Sequence, residues 1–553
     1  MTQRSVAGRL LETMAGAGAG TVFGLPGVHN LAFWRQSPGD GLPRIVNVRH
    51  EQTTVYAADG FARASGLPGF ALVTTGPGAA NAVGAFGEAA MSKSPVVLVA
   101  SEVPRRLVDA GLRGVLHQST DQVGLFRPLA KATFTPRDAS QAVASLAEAV
   151  TTAMAAPQGP VYFDVPADVL GEPGPVPAEA TGPGGDDAGR DATTSGSTGD
   201  TGPLEAAAEL IDAAATVAIW AGGGVVQAGA AAALGRLADH LQAPVFTTFA
   251  SRGVLPPDHP STVTVPPHEP ETAALLAAAD LLLVLGSDLD GMNTKNLSLP
   301  FPPTIVNVNA DPQRLTVPGR EVHRVLGDVG WAIEGLRQRT AAREAGLAGR
   351  VRAVCEGAWA RLRADERTAP ACDLVAAVER VARGRAVLVN DMAVPGYWLA
   401  GYYVPDRPRS MQYPMGWGTL GYGLPASVGA AFATPGPVLV VCGDGGIMFA
   451  LGELATLAQQ ELPVTVLVVD DAGYGMLRFD QREQPASRGA DLVVPDFVRL
   501  AESFGMEATA VEGVGDGLAA ALDDALASGR PRLVHCRAAL YPPRTTSPRW
   551  SEP

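Results

Sequence analysis

The stretch VVCGDGGIMFALGELATLAQQELPVTVLVVDDAGYGM at 440–476 sets Asp444 between glycines just after an apolar run, and Asp470–Asp471 at the end of the next. An apolar run, a Gly-rich turn, a helix-like segment and a second apolar run make the pattern of a βαβ unit in a parallel sheet. Both acids then lie at carboxyl ends of strands, where such sheets bind ligands. A Gly-Asp-Gly-Gly turn offers backbone N–H groups at a helix start, which suits a phosphate. An acid inside that turn repels the phosphate unless a cation stands between them. Asp444 with Asp471 therefore argues for a hard divalent metal, Mg²⁺ foremost, which takes oxygen ligands and keeps phosphate oxygens in its shell. Taken alone, Asp444 reads equally well as a helix N-cap.

The elements that would position these acids recur. Residues 71–101 run strand, GPG turn, helix, Ser-Pro, strand, and residues 217–250 run strand, GGG turn, helix, Ala-Pro, strand. One unit used three times predicts an α/β chain of three open, doubly wound parallel-sheet domains. They are expected at 1–170, 203–345 and 371–541. Residues 171–202 are rich in Pro, Gly, Ser, Thr and Asp with almost nothing apolar, and read as a flexible linker. A charged, helical join is expected at 346–370, and an irregular tail at 542–553.

The composition narrows the function. A formal net charge of −14 over 553 residues disfavours a nucleic-acid or anionic-membrane surface, which needs clustered Lys and Arg. No run approaches eighteen consecutive apolar residues, and the first twenty read as an amphipathic helix with Val6, Leu10, Leu11 and Met14 on one face rather than as a cleavable signal. The expected location is the cytoplasm, with no membrane partner. Cys355, Cys372, Cys442 and Cys536 show neither a CxxC nor a Cys/His spacing, and read as buried reduced thiols.

Further motifs sharpen the picture. HEQTTVYAADGFARASG at 50–66, GTLGYGLPASVGAAFA at 418–433 and the GDG turn followed by Asp471 and Gly-Tyr-Gly together resemble the thiamine diphosphate superfamily of acetolactate synthase, pyruvate decarboxylase and benzoylformate decarboxylase. The three-domain layout extends the resemblance over nearly the whole chain. It implies pyrimidine-binding, central and diphosphate-binding domains, with thiamine diphosphate and Mg²⁺ as cofactors. Glu51 would hydrogen-bond N1′ of the aminopyrimidine and favour the imino form that takes up the C2 proton. Read alone, a Glu one turn into a helix is a solvated or capping residue.

The same resemblance gives Gly418 a carbonyl contact to the 4′-amino group and makes Leu420 the wedge under the cofactor. Alone, Leu420 would read as core. Asp444, Asp471 and the Gly473 carbonyl would be the metal's protein ligands, Asp471 standing where many relatives have Asn. Thr75, Pro77, Gly443, Gly445, Gly446, Tyr474, Gly475 and Met476 complete the expected cofactor contacts. Ala393, Val394 and Pro395 replace a Gly-Gln-His turn of acetolactate synthases, which puts side-chain contact to the diphosphate there in doubt. GSDLDGMNTKN at 286–296 lacks the arginine-bearing FAD segment, so no flavin is expected.

At the reaction end, GLPGVHN at 24–30 supplies His29 and Asn30, and LRGVLHQSTDQVG at 112–124 supplies His117 and Gln118. Two histidines beside one cofactor suit proton delivery and polarisation of a carbonyl, though a loop histidine is also often structural. Met476 and Leu477 are expected to line the substrate pocket. The implied activity is decarboxylation of a 2-oxo acid, with release of an aldehyde or carboligation to a second carbonyl. PGVHN and YPMGWGTLGYGLPA look nearest to acetolactate-synthase-like proteins, including guanidino-oxopentanoate decarboxylases. An oxalyl-CoA-type lyase and a non-catalytic cofactor-binding paralogue are the alternatives. The family's shared active sites imply a homodimer or homotetramer.

Overall fold

The computed structural model describes residues 4–36, 39, 41–111, 114–177 and 199–550. Its strands fall into three parallel sheets. The first comprises β1 (Thr21–Gly24), β2 (Arg44–Asn47), β3 (Gly69–Val73), β4 (Val96–Glu102), β5 (Ala132–Phe134) and β6 (Val161–Pro166), in the order β2-β1-β3-β4-β6-β5. The second comprises β7 (Val217–Ala221), β8 (Val245–Thr247), β9 (Leu281–Leu285), β10 (Thr304–Asn309) and β11 (His323–Leu326), in the order β11-β10-β9-β7-β8. The third comprises β12 (Val387–Asn390), β13 (Met411–Gln412), β14 (Val438–Gly443), β15 (Val464–Asp470), β16 (Glu507–Glu512) and β17 (Arg532–Arg537), in the order β13-β12-β14-β15-β17-β16.

Strands such as β9 (LLLVL) and β15 (VTVLVVD) are buried along their whole length, as expected of parallel strands covered by helices on both faces. Each of the three recurring units closes as a neighbouring parallel pair: β3 with β4, β7 with β8, β14 with β15.

The first and third sheets are topological twins, because counting strands within each domain gives the same order, 2-1-3-4-6-5. In both, the order reverses between the first and third strands, which opens a crevice at their carboxyl ends. The turn after β3 (Thr74–Pro77) thus corresponds to the turn after β14 (Asp444–Gly446). The helix that starts at Glu51 corresponds to the one that starts at Gly423. These two helices cross in backbone contact. A Cβ on Gly429 would lie 1.8 Å from the Ala57 carbonyl oxygen, and one on Gly60 2.2 Å from that of Ala426. One buried cluster, including Phe23, Val55, Phe86, Tyr422, Val440 and Val468, serves both domains.

Val6, Leu10, Leu11 and Met14 are buried on the Val6–Gly16 helix, and the four cysteines are buried and unpaired. Most of the 171–202 segment, 178–198, lies outside the described residues, and the Thr201–Ala213 helix starts within its last two positions. The Ala348–Ala364 helix occupies the join, where Arg361 reaches Glu269 and Glu271 of the central domain. The tail is held down: Trp398 Nε1 donates to the Tyr541 carbonyl at 2.7 Å, and Thr545 and Thr546 are buried. Among the described residues no helix is long and apolar enough to cross a membrane.

Candidate active site

The expected residues gather in two sets, one at the crevice of each twin sheet. In the first domain, Asn30 is fully buried and holds the loop after β1. Its Oδ1 accepts the Gly27 N–H at 2.7 Å and its Nδ2 donates to the Leu25 carbonyl at 3.0 Å. That loop delivers His29, whose Nδ1 lies 2.9 Å from Thr75 Oγ1. Thr75 Oγ1 in turn lies 3.1 Å from Ser101 Oγ at the end of β4. The His117 ring stands edge-on to that of His29, with centroids 5.6 Å apart. Burial first, and then the His117 charge, lowers the His29 pKa, so His29 is neutral at pH 7.

The loop bearing His117 fits only because position 76 is glycine. Gly76 has φ +66°, and a Cβ there would lie 2.3 Å from the His117 carbonyl oxygen. His117 itself adopts φ 68°. Its Nδ1 and the Gln118 Oε1 are buried without a hydrogen-bond partner, which leaves both free for a ligand. Glu51 opens its helix, where the dipole favours a carboxylate, and its Oε2 accepts from Asn81 Nδ2 at 3.0 Å. Pro77 starts the short helix through Asn81, so the turn holding Thr75 and Pro77 reaches the Glu51 side of the crevice.

In the third domain, Asp444 begins the helix after β14 and is buried, with Oδ2 unpartnered. Burial, then the negative charges of Asp471 and Asp470, push its carboxyl up to about 6. Burial raises Asp471 too, although Arg478, 3.7 Å away, pulls it back. Glycines make the cradle tight. A Cβ on Gly445 would lie 2.6 Å from the Tyr474 ring, one on Gly475 2.2 Å from Asp471 Oδ2, and one on Gly443 3.0 Å from Ala393. A Cβ on Gly446 would lie 3.2 Å from Asp391 Oδ2. Gly473 pairs with Asp491 in an isolated bridge, which fixes the turn carrying its carbonyl.

Gly418 takes φ +70°, and Leu420 is exposed beside it. Leu477 is also exposed, whereas Met476 is half-buried and packs against the core between the central and third domains. Ala393 caps the Val394–Tyr402 helix with no side-chain hydrogen bond. No hydrogen bond or ion pair among the described residues joins Glu51 to Asp444 or Asp471. Within one chain the two sets meet through Gln52 Nε2, which donates to the Phe449 carbonyl at 2.9 Å, and through Tyr56, edge-on to Tyr422.

Sequence reasoning missed Asp391 and Gln122. Asp391 ends β12's apolar run, is fully buried, and accepts the Gly421 N–H at 3.0 Å and the Met392 N–H at 2.7 Å. Burial pushes its carboxyl up to about 6. A polar residue closing an apolar strand, as in LVND, was the available signal. Gln122 accepts the Gly76 N–H at 2.6 Å and donates to the Ser101 carbonyl and Asp164 Oδ1, bracing the first crevice from behind.

These residues fit a diphosphate with a divalent cation. Two carboxylates with raised pKa values face one glycine-built turn, one of them has an unsatisfied buried oxygen, and Arg478 approaches the other only to 3.7 Å. Among the described residues no three His, Cys, Asp or Glu side chains cluster as a metal site, so a cation at Asp444 and Asp471 would complete its shell with carbonyl and ligand oxygens.

Three family models match successive parts of the chain. Residues 4–125 match the description "Thiamine pyrophosphate enzyme, N-terminal TPP binding domain", 204–336 the central domain, and 391–536 the C-terminal TPP binding domain. The chain is 32% identical to the probable 2-ketoarginine decarboxylase AruI of Pseudomonas aeruginosa, covering 90% of this chain and 87% of that protein. It is 30% identical to a probable acetolactate synthase large subunit of Methanocaldococcus jannaschii, covering 95% and 90%. Among solved structures, a thiamine diphosphate-dependent 4-hydroxybenzoylformate decarboxylase of Rhodococcus jostii superposes with a TM-score of 0.78 at 26% identity, covering 97% and 99%. Benzoylformate decarboxylase of Polynucleobacter necessarius shares the fold, with a TM-score of 0.81 at 22% identity over 98% and 100%. The three matched segments, in this order and on these three sheets, place the chain in the thiamine pyrophosphate enzyme family.

Proposed function

We propose that this enzyme uses thiamine diphosphate and Mg²⁺ to decarboxylate a 2-oxo acid, and then releases the aldehyde or joins the remaining fragment to a second carbonyl. The observation that carries the reading is Asp444, a buried carboxylate with a free oxygen, set beside Asp471 in a turn built of glycines. Asp444, Asp471 and the Gly473 carbonyl hold the cation, and N–H groups of the Gly443–Gly446 turn face the diphosphate. Bound there, thiamine diphosphate supplies the nucleophile and the electron sink for loss of CO₂. Glu51 holds the proton at the aminopyrimidine. Neutral His29, fixed by Thr75, and His117 exchange protons with the reacting carbonyl oxygen or carbon. Leu420 would be the wedge under the cofactor, and Leu477 with Met476 an apolar wall of the substrate pocket.

The decarboxylase and acetolactate synthase names of the relatives support a 2-oxo acid substrate. In this reading Glu51 of one subunit serves the Asp444 turn of another, so a homodimer or homotetramer is the active form, working in the cytoplasm. The domain division at 1–170, 203–345 and 371–541 belongs to the same reading. No flavin is included in it. The Gly222 and Gly224 N–H groups at the central sheet's glycine turn are bonded to the Leu285 and Gly286 carbonyls. CO₂ release and product mass, measured across a panel of 2-oxo acids with and without aldehyde acceptors, test the reading and choose between aldehyde release and carboligation. No CO₂ from any of them, with both cofactors supplied, would reject it.

A further inference from the structure

The segment Tyr413–Gly421 carries Gly418 and Leu420, yet it belongs to no helix or long strand. Two buried carboxylates pin it. At its far end Asp391, from the same domain, takes the Gly421 N–H. At its near end the carboxylate comes from the first domain. Glu88, on the Val83–Met91 helix, accepts the Gly416 N–H at 2.9 Å through Oε1 and the Trp417 N–H at 2.8 Å through Oε2. The approach depends on two glycines. A Cβ on Gly416 would lie 2.5 Å from the Glu88 carbonyl oxygen, and one on Gly87 2.2 Å from the Trp417 ring.

Glu88 is fully buried and is itself held in place. Ser92 Oγ donates to it at 2.9 Å, and Arg63 Nη2 lies 3.4 Å away. Arg63 is also bound to Asp59 at 2.7 Å and donates to the Tyr413 carbonyl at 2.9 Å. The guanidinium thus balances one of the two acids, and the backbone N–H groups of 416 and 417 stabilise the other. Carboxylate bonds to backbone N–H groups are among the stronger hydrogen bonds, and here both oxygens act on consecutive residues, which fixes the direction of the chain as well as its place.

We propose that Glu88 is a positioning residue for the cofactor. From the first domain it sets the register of Gly416–Leu420, so that the Gly418 carbonyl and the Leu420 side chain meet the aminopyrimidine. This rests on the thiamine diphosphate reading above. A carboxylate 328 positions before Gly416 in sequence thereby shapes the pyrimidine side of the third-domain site and leaves the diphosphate turn at Asp444 untouched.

The test separates those two ends of the cofactor. Full-length wild type, Glu88→Gln and Glu88→Ala are titrated with thiamine diphosphate plus Mg²⁺, and separately with inorganic diphosphate plus Mg²⁺, which has no pyrimidine. Glu88→Gln keeps Arg63 paired with Asp59 but turns an amide NH₂ toward one of the two N–H groups, so it decides the matter even if the alanine variant does not fold. The expected result is thiamine diphosphate binding weakened about tenfold in Glu88→Gln, as for loss of one charge-assisted bond, with inorganic diphosphate binding within about twofold of wild type. Equal weakening of both ligands, or unchanged thiamine diphosphate binding, overturns the proposal. Wild type that binds inorganic diphosphate but not thiamine diphosphate would instead overturn the cofactor reading, and this proposal with it.

Discussion

Asp470, the last residue of β15, and His535, within the adjacent strand β17, form a buried pair, with Oδ2 2.8 Å from Nε2. Asp470 Oδ1 also accepts the Ala472 N–H at 2.8 Å. Both oxygens of Asp470 are therefore engaged, and of the adjacent acids only Asp471 is left to join Asp444 at a cation.

Asp444→Ala should abolish Mg²⁺-dependent retention of thiamine diphosphate, since N–H groups alone do not offset a diphosphate beside Asp471. Retention is read by gel filtration after EDTA treatment. Asp444 titrates at about 6 in the metal-free chain, and a cation binds its ionised form. Cofactor affinity should thus fall as pH drops through about 6. A flat affinity from pH 7 to 5 would remove Asp444 from the metal shell.

Glu51→Gln should leave a folded, cofactor-binding protein whose turnover is on the order of 10²–10⁴-fold slower, the usual effect of losing a positioned proton-transfer group. Turnover near that of wild type would reassign Glu51 to helix capping.

Much of this architecture is readable in sequence because its signals are local. The three strand-turn-helix-strand units, the Glu51 helix and the acid-bearing turn all lie within runs of forty residues or fewer. Asp391, Glu88, Gln122 and Asp164 were not legible for the opposite reason. Each is a polar residue in or beside an apolar run, and its partner is set by the fold. Glu88 meets Gly416 only once the first and third domains share a core, and Gln122 meets Gly76 only once the loop after β4 folds back over the crevice. The identical strand order of the two outer sheets also emerges only from pairing, since β13 is two residues long.

His29→Ala and His117→Ala should each slow a step after CO₂ loss more than CO₂ loss itself. His29 is neutral at pH 7 and so can accept a proton as well as relay one. Single-turnover CO₂ release is compared with product release. Equal slowing of both steps in both variants would leave the pair with a structural role.

Asp164 offers a check on electrostatics away from the cation. Burial, then the charge of Glu102, raises its carboxyl from 3.8 to about 8. The folded state therefore keeps a proton that the unfolded chain releases between pH 4 and 8. The group's contribution to stability declines as pH rises through that window, by up to about 1.4 kcal/mol per unit. Asp164→Asn still offers Gln122 an acceptor, so it should flatten the pH dependence of Tm between pH 6 and 8 and raise Tm at pH 8. A lower Tm at pH 8 would show that the ionised carboxylate stabilises the fold.

The central claim is that Glu51 and the Asp444–Asp471 turn act on one thiamine diphosphate. It is tested most directly by measuring CO₂ release from a 2-oxo acid by the EDTA-stripped enzyme, resupplied with thiamine diphosphate, with Mg²⁺, or with both. The account predicts CO₂ only when both are present, at full rate from wild type, on the order of 10²–10⁴-fold more slowly from Glu51→Gln alone, and none from Asp444→Ala alone. It also predicts partial recovery when these two variants are mixed and exchange subunits, since one hybrid site then carries both intact residues. Activity without the cofactor, or no recovery despite demonstrated subunit exchange, would contradict it.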